Sequence, residues 1–124
     1  MNWGLMGTAL LAAAGSAACN DPYCTTSVEP GIVVEIRDSN DLPVAEEAVG
    51  RVSEGTFTDS LRAYESTATG TLLSRAGADE REGIYVVEVS HPGFTTWRET
   101  GVQVTGNGCH VETVRLQAQL IPAP

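Results

Sequence analysis

The chain has 124 residues, with seven basic against sixteen acidic side chains and a formal charge of −9. Every basic residue is an Arg, and an acidic chain without a cationic stripe is a poor ligand for a phosphate backbone or an anionic lipid surface, so nucleic acid is set aside as a partner. The absence of Lys also excludes Schiff-base chemistry, a P-loop and a Lys–Asn isopeptide cross-link.

The run Trp3–Ala18 is apolar and free of charge, with Leu5, Met6, Leu10 and Leu11 among Ala, Gly and Ser, and reads as the apolar region of an export signal. It is too short and too diluted for a transmembrane helix, which needs about 18 or more apolar residues. Ser16-Ala17-Ala18 offers the small residues of an ordinary cleavage site. The same residues directly before Cys19 fit a bacterial lipoprotein signal, in which that cysteine is acylated and becomes the mature N-terminus. The second reading is preferred. Residues 1–18 are then the signal peptide, Cys19 is the lipidation site and residues 19–27 are a lipidated tether. The protein is expected at the bacterial cell envelope, outside the cytoplasm, with the membrane as a partner through its lipid anchor. Ser16 stands where such signals usually carry Leu, and Met1-Asn2 offers no basic residue; a true start upstream of Met1 would supply one.

Without the leader about 100 residues remain, which is one domain and a chain long enough to build a core without a metal. Three cysteines are an odd number for an exported protein. With Cys19 carrying lipid, Cys24 and Cys109 remain to form a disulfide, one just before the first strand-like run and the other opening the last. Two unpaired thiols, or a Cys19–Cys24 bridge in a protein that is not acylated, are the alternatives. The Cys-x-x-Cys spacing of a zinc site does not occur.

The domain, residues 28–121, reads as short β-type runs separated by turns. Gly31–Arg37 alternates, with Ile32, Val34 and Ile36 on one face. Residues 38–43 are a dense turn signal. Residues 45–48 lead into a run containing Val52, and Thr56–Tyr64, rich in Thr and aromatic residues, reads as the next strand. Thr69–Arg75 is a short candidate, and residues 77–83 are a polar connection. Ile84–His91 is the strongest strand, with Tyr85, Val87 and Val89 facing one way. Pro92-Gly93 turns the chain into Phe94–Trp97. Gly106-Asn107-Gly108 is the best hairpin signal and is expected to join Gly101–Thr105 to Cys109–Leu120, in which Val114, Leu116, Ala118 and Leu120 point inward. Short strands at regular spacing imply an all-β antiparallel sandwich.

The order Ile32–Ile36, a turn with Leu42-Pro43-Val44, Gly83–Val89, Pro92-Gly93-Phe94 and Gly101–Val104 before a long last strand resembles the carboxypeptidase regulatory-like domain. The likeness covers residues 28–121 and implies a single seven-stranded, prealbumin-like β-sandwich. It does not imply the zinc-carboxypeptidase chemistry of the parent enzymes, because neither H-E-x-x-H nor H-x-x-E occurs. The hydrolysis of 5-hydroxyisourate by a prealbumin-type enzyme needs a C-terminal Tyr-Arg-Gly-Ser, and this chain ends Leu120–Pro124.

Few side chains offer chemistry. His110 and Glu112 fall on one face of a strand and, with His91, are the ligand set for a small metal-assisted hydrolase; a zinc site needs three or four such ligands converging. Asp38, Asn40 and Asp41, or Asp79, Glu80 and Glu82, are oxygen-rich, but neither has the spacing of a calcium loop. No G-x-S-x-G motif occurs, and neither His has a recognisable Ser or Asp partner in the sequence. Gly106-x-Gly108 precedes a strand, where a dinucleotide fingerprint requires a helix. Phe94 and Trp97 are the candidate partner-binding residues, as an exposed aromatic platform. The leading expectation is a non-enzymatic exported lipoprotein whose sandwich binds or positions an envelope protein or glycan, without catalytic residues, cofactor or metal. A carbohydrate-binding module and the metal-assisted hydrolase are its rivals.

Overall fold

A computed structural model describes residues 24–124. The signal segment, Cys19 and the first part of the tether lie outside the described residues.

Eight strands are found among the described residues: β1 (Ile32–Asp38), β2 (Val49–Glu54), β3 (Phe57–Ser60), β4 (Arg62–Ala63), β5 (Ser74–Gly77), β6 (Gly83–Ser90), β7 (Trp97–Val104) and β8 (Val114–Leu120). They form two four-stranded sheets, ordered β4-β5-β1-β8 and β3-β2-β6-β7. The fold is an all-β sandwich. Pairings are antiparallel except between β1 and β8, which run parallel with Ile32 opposite Val114 and Asp38 opposite Leu120. The expected all-antiparallel, seven-stranded arrangement is corrected in these two details.

The alternation legible in the sequence fills the space between the sheets. Ile32, Val34 and Ile36 from β1, Val52 from β2, Tyr85, Val87 and Val89 from β6, Val102 and Val104 from β7, and Ala118 and Leu120 from β8 make one buried cluster. Each fully buried Val, Leu or Ile contributes about 1.5–3 kcal/mol. Tyr85 is the largest side chain in this core, and its buried hydroxyl is satisfied by donating to the Arg81 carbonyl at 2.8 Å and accepting from Arg81 Nη1 at 2.9 Å.

Three boundaries differ from expectation. Residues 56–64 are two strands in different sheets, because the chain crosses at Leu61, which is buried and donates its N–H to the Gly50 carbonyl at 2.9 Å. Gly50 is the residue this crossing requires: a Cβ there would stand 2.5 Å from Leu61 Cδ1. Regular pairing of the next strand starts only at Ser74, since residues 67–71 close a polar turn in which Thr67 N–H donates to the Thr71 carbonyl at 2.8 Å and Thr71 N–H donates to Thr67 Oγ1 at 3.0 Å. The hairpin expected at residues 106–108 is only a local bridge between Gly106 and Val111; β7 pairs with β6 and β8 with β1, so the connection passes from one sheet to the other.

The strand directions give the sandwich two chemically different ends. At one, residues 24–31, 77–83 and 104–114 gather, with Gly83 opposite Val104 and Ile32 opposite Val114. The other holds the connections 38–49 and 90–97 and the C-terminal residues, where Thr95 donates its N–H to the Ile121 carbonyl at 2.8 Å. Residues 24–27, the described part of the expected tether, lie at the first end, the tether end; the second is the far end.

Candidate functional site

At the tether end, Cys24 and Cys109 form a disulfide with Cα atoms 5.2 Å apart across 85 residues of sequence. On one side of it, Asn107 organises the loop: its Oδ1 accepts the N–H of Cys109 and of His110, each at 3.0 Å, and its own N–H bonds the His110 carbonyl at 3.0 Å. This Asx-type turn is the physical meaning of the Gly-Asn-Gly run. It aims His110 at Glu80, whose backbone sits at φ 50° in the connection between β5 and β6, a left-handed conformation that costs a non-Gly residue about 1–2 kcal/mol.

The Glu80 carboxylate gathers three donors. It accepts the N–H of Glu29 at 3.0 Å and of Val111 at 3.1 Å, and meets His110 Nδ1 at 2.5 Å. On the other side of the imidazole, Nε2 lies 2.9 Å from Thr25 Oγ1, which is 2.8 Å from Ser27 Oγ. The hydrogen bond from His110, followed by the Glu29 N–H, holds the Glu80 carboxyl below the usual carboxylate range. The bond to Glu80 raises the pKa of His110 in return, against the opposing effect of desolvation.

The far end carries the aromatic segment. Phe94 and Trp97 are both half-buried and pack against the core. The His91 ring meets Phe94 edge-to-face, with centroids 4.9 Å apart. The segment is also pinned by the C-terminal residues: Phe94 bridges Pro122, and Ala123 N–H bonds the Gly93 carbonyl at 2.9 Å. Each ring is thus partly accessible and partly packed. Around them the far end exposes large apolar side chains, Leu42 at 59%, Val49 at 68% and Ile121 at 64%, a feature that alternation in sequence does not reveal. Arg75 braces this end from inside, donating to the carbonyls of Ala45 at 2.9 Å, Glu46 at 3.1 Å and Leu61 at 3.4 Å.

The metal set does not converge. His91 follows β6 at the far end, and His110 lies beside the residues that precede β6 at the tether end, about 25 Å away at the rise of an extended strand. Glu112 is exposed. Among the described residues no group of three or more His, Cys, Asp or Glu is placed to hold a metal. Asp38 uses its carboxylate to accept the N–H of Asn40 at 2.8 Å and of Leu42 at 3.0 Å, an ordinary Asx turn. Asp79 is taken up by Arg62 at 2.8 and 3.0 Å.

Thr25 and Glu80 as partners of His110 escape motif reading, because 85 and 30 residues separate them from it. One signal was available: Thr25 and His110 each follow a cysteine of the expected disulfide. Compared with known proteins, the chain matches no family model and no curated protein. Among the described residues no helix is long and apolar enough to cross a membrane.

Proposed function

We propose that this protein is an exported, lipid-anchored envelope module, attached through Cys19, whose sandwich binds a partner with its far end rather than turning over a substrate. The likeness of residues 28–121 to the carboxypeptidase regulatory-like domain supports a scaffold of this kind. The observation that carries the reading is the separation of two ends. The disulfide fastens the chain five residues after Cys19 to the tether end, while Phe94, Trp97 and the exposed Leu42, Val49 and Ile121 lie at the opposite end. An anchored sandwich then presents the end that carries Leu42, Val49 and Ile121 away from the membrane, whereas the exposed Val28 and Ile84 lie at the anchored end; exposed apolar side chains favour protein contacts. A disulfide closing the domain agrees with an oxidising compartment.

Two measurements test the proposal. Mass spectrometry of the mature N-terminus should find an acylated Cys19; a soluble protein beginning at Cys19 without added mass would sink the anchor. Affinity capture from native membranes should recover a partner that is lost when Leu42 and Ile121 are replaced by Ser, at an unchanged melting temperature. Equal capture by that variant would remove the far end as the binding surface. A glycan partner would instead show itself as quenching of Trp97 fluorescence.

A further inference from the structure

Thr25, His110 and Glu80 come from three separate parts of the chain and meet in one hydrogen-bonded line: Thr25 Oγ1 to His110 Nε2 at 2.9 Å, then His110 Nδ1 to Glu80 Oε2 at 2.5 Å. Glu80 is already fixed as an acceptor by the main-chain N–H groups of Glu29 and Val111. It therefore holds the proton of the neutral imidazole on Nδ1 and leaves the Nε2 lone pair facing the Thr25 hydroxyl. Hydroxyl, imidazole and carboxylate in this order activate an oxygen nucleophile, and such a set is recognised by geometry, not by its order in sequence. The disulfide and the Asn107 turn fix the two loops that bring the groups together. An open cleft of about 460 Å³ lies beside them, lined among others by Thr25, Ser27, Glu82, Gly106 and Gly108, and gives a reactant access to the exposed Thr25.

We propose that Thr25 is an acyl-accepting nucleophile that takes the acyl group of a small activated ester. The Thr25 Oγ1–acyl carbon bond forms and the ester's acyl carbon–oxygen bond breaks. The hydroxyl proton passes to His110 Nε2 and from there to the departing oxygen, so charge and atoms balance without a further co-reactant. An ester with an acidic leaving group suits a site open to water, since its departure needs little help from a buried acid. Glu80 is a positioning residue: it touches the imidazole and not the reactant. This chemistry sits at the tether end and is independent of binding at the far end.

The test uses the disulfide-intact protein and 4-nitrophenyl acetate at mildly alkaline pH. The chain has no Lys to compete for acetyl groups. The expected result is about one equivalent of nitrophenolate released in a burst, with one acetyl group mapped to Thr25. Thr25→Ala should abolish both, and Thr25→Ser should retain them. His110→Gln should slow acylation at least about tenfold, within the range a general base provides. If His110→Gln loosens the loop, Thr25→Ala still decides, because it removes only the hydroxyl and a methyl group from an exposed side chain. No acetyl group on Thr25, or the same burst in Thr25→Ala as in the parent, would overturn the proposal.

Discussion

Thr25 and His110 each follow one cysteine of the same disulfide, and their side chains meet at 2.9 Å. A covalent bond between Cys24 and Cys109 thus places two polar side chains face to face that are otherwise 85 residues apart. The link also fastens the segment before β1 to the connection between β7 and β8, which belong to different sheets.

The first prediction concerns that link. Replacing Cys24 and Cys109 together by Ser should lower stability by about 4–5 kcal/mol, the chain-entropy value for so long a loop, with delivered values often smaller. Urea denaturation of parent and variant measures it. An unchanged midpoint would mean that the tether end is ordered without the bond.

The second follows from the signs of two shifts. Glu80 is held below the ordinary carboxylate range, first by His110, so its contribution to stability exists above the unfolded pKa and fades as pH falls through the lowered folded value. His110 is raised, first by Glu80 and also by the charge of Glu29, so its contribution is complete below the unfolded pKa and is lost as pH rises through the raised folded value. The pair is therefore strongest between the ordinary carboxylate and imidazole pKa values, about 4.3 and 6.5. Melting temperatures of the parent and His110→Gln should differ more at about pH 5.5 than at about pH 9. A gap that is equal or wider at the alkaline pH defeats this account.

Gly50 yields a third. Alanine there would bring its Cβ to 2.5 Å from Leu61 Cδ1, at the point where the chain passes from β3 to β4. Gly50→Ala is expected to cost about 1–3 kcal/mol, the usual penalty of overpacking. Combining it with Leu61→Ala should cost less than the sum of the two single changes, because each relieves the other. Additive losses would show that the crowding is not between these two side chains.

What the sequence disclosed and what it hid divide along physical lines. Alternation alone placed β1 and β6, because Ile32, Val34 and Ile36, and Tyr85, Val87 and Val89, all pack inward. The disulfide was legible from the odd cysteine count. The crossing at Leu61 was not: a strand that changes sheets keeps its β-type residues, and only the contact with Gly50 reveals the bend. The parallel β1–β8 pair was also hidden, since the period of a strand does not specify the direction of its neighbour. The Thr25–His110–Glu80 line depends on long-range closure, and local spacing carries no record of it.

The last prediction addresses Trp97, which with Phe94 is a candidate partner-binding residue. It is half-buried, packs against the core, and opens β7 opposite Val89. The neighbouring residues 93–95 are held by the C-terminal segment through the Thr95–Ile121 and Ala123–Gly93 bonds. A half-buried indole recovers only part of the burial energy of an enclosed one. Trp97→Ala should therefore cost about 2 kcal/mol, below the 3–5 kcal/mol of a fully buried aromatic, and Trp97→Phe should restore most of it. Because the same ring keeps an accessible side at the far end, the alanine variant should also weaken partner capture, and more so than Phe94→Leu, whose ring lies under His91. Denaturation curves and capture assays on the same three proteins separate the contributions. A loss of 3 kcal/mol or more with unchanged capture by the Phe variant would make Trp97 a core residue and leave Leu42, Val49 and Ile121 to carry binding.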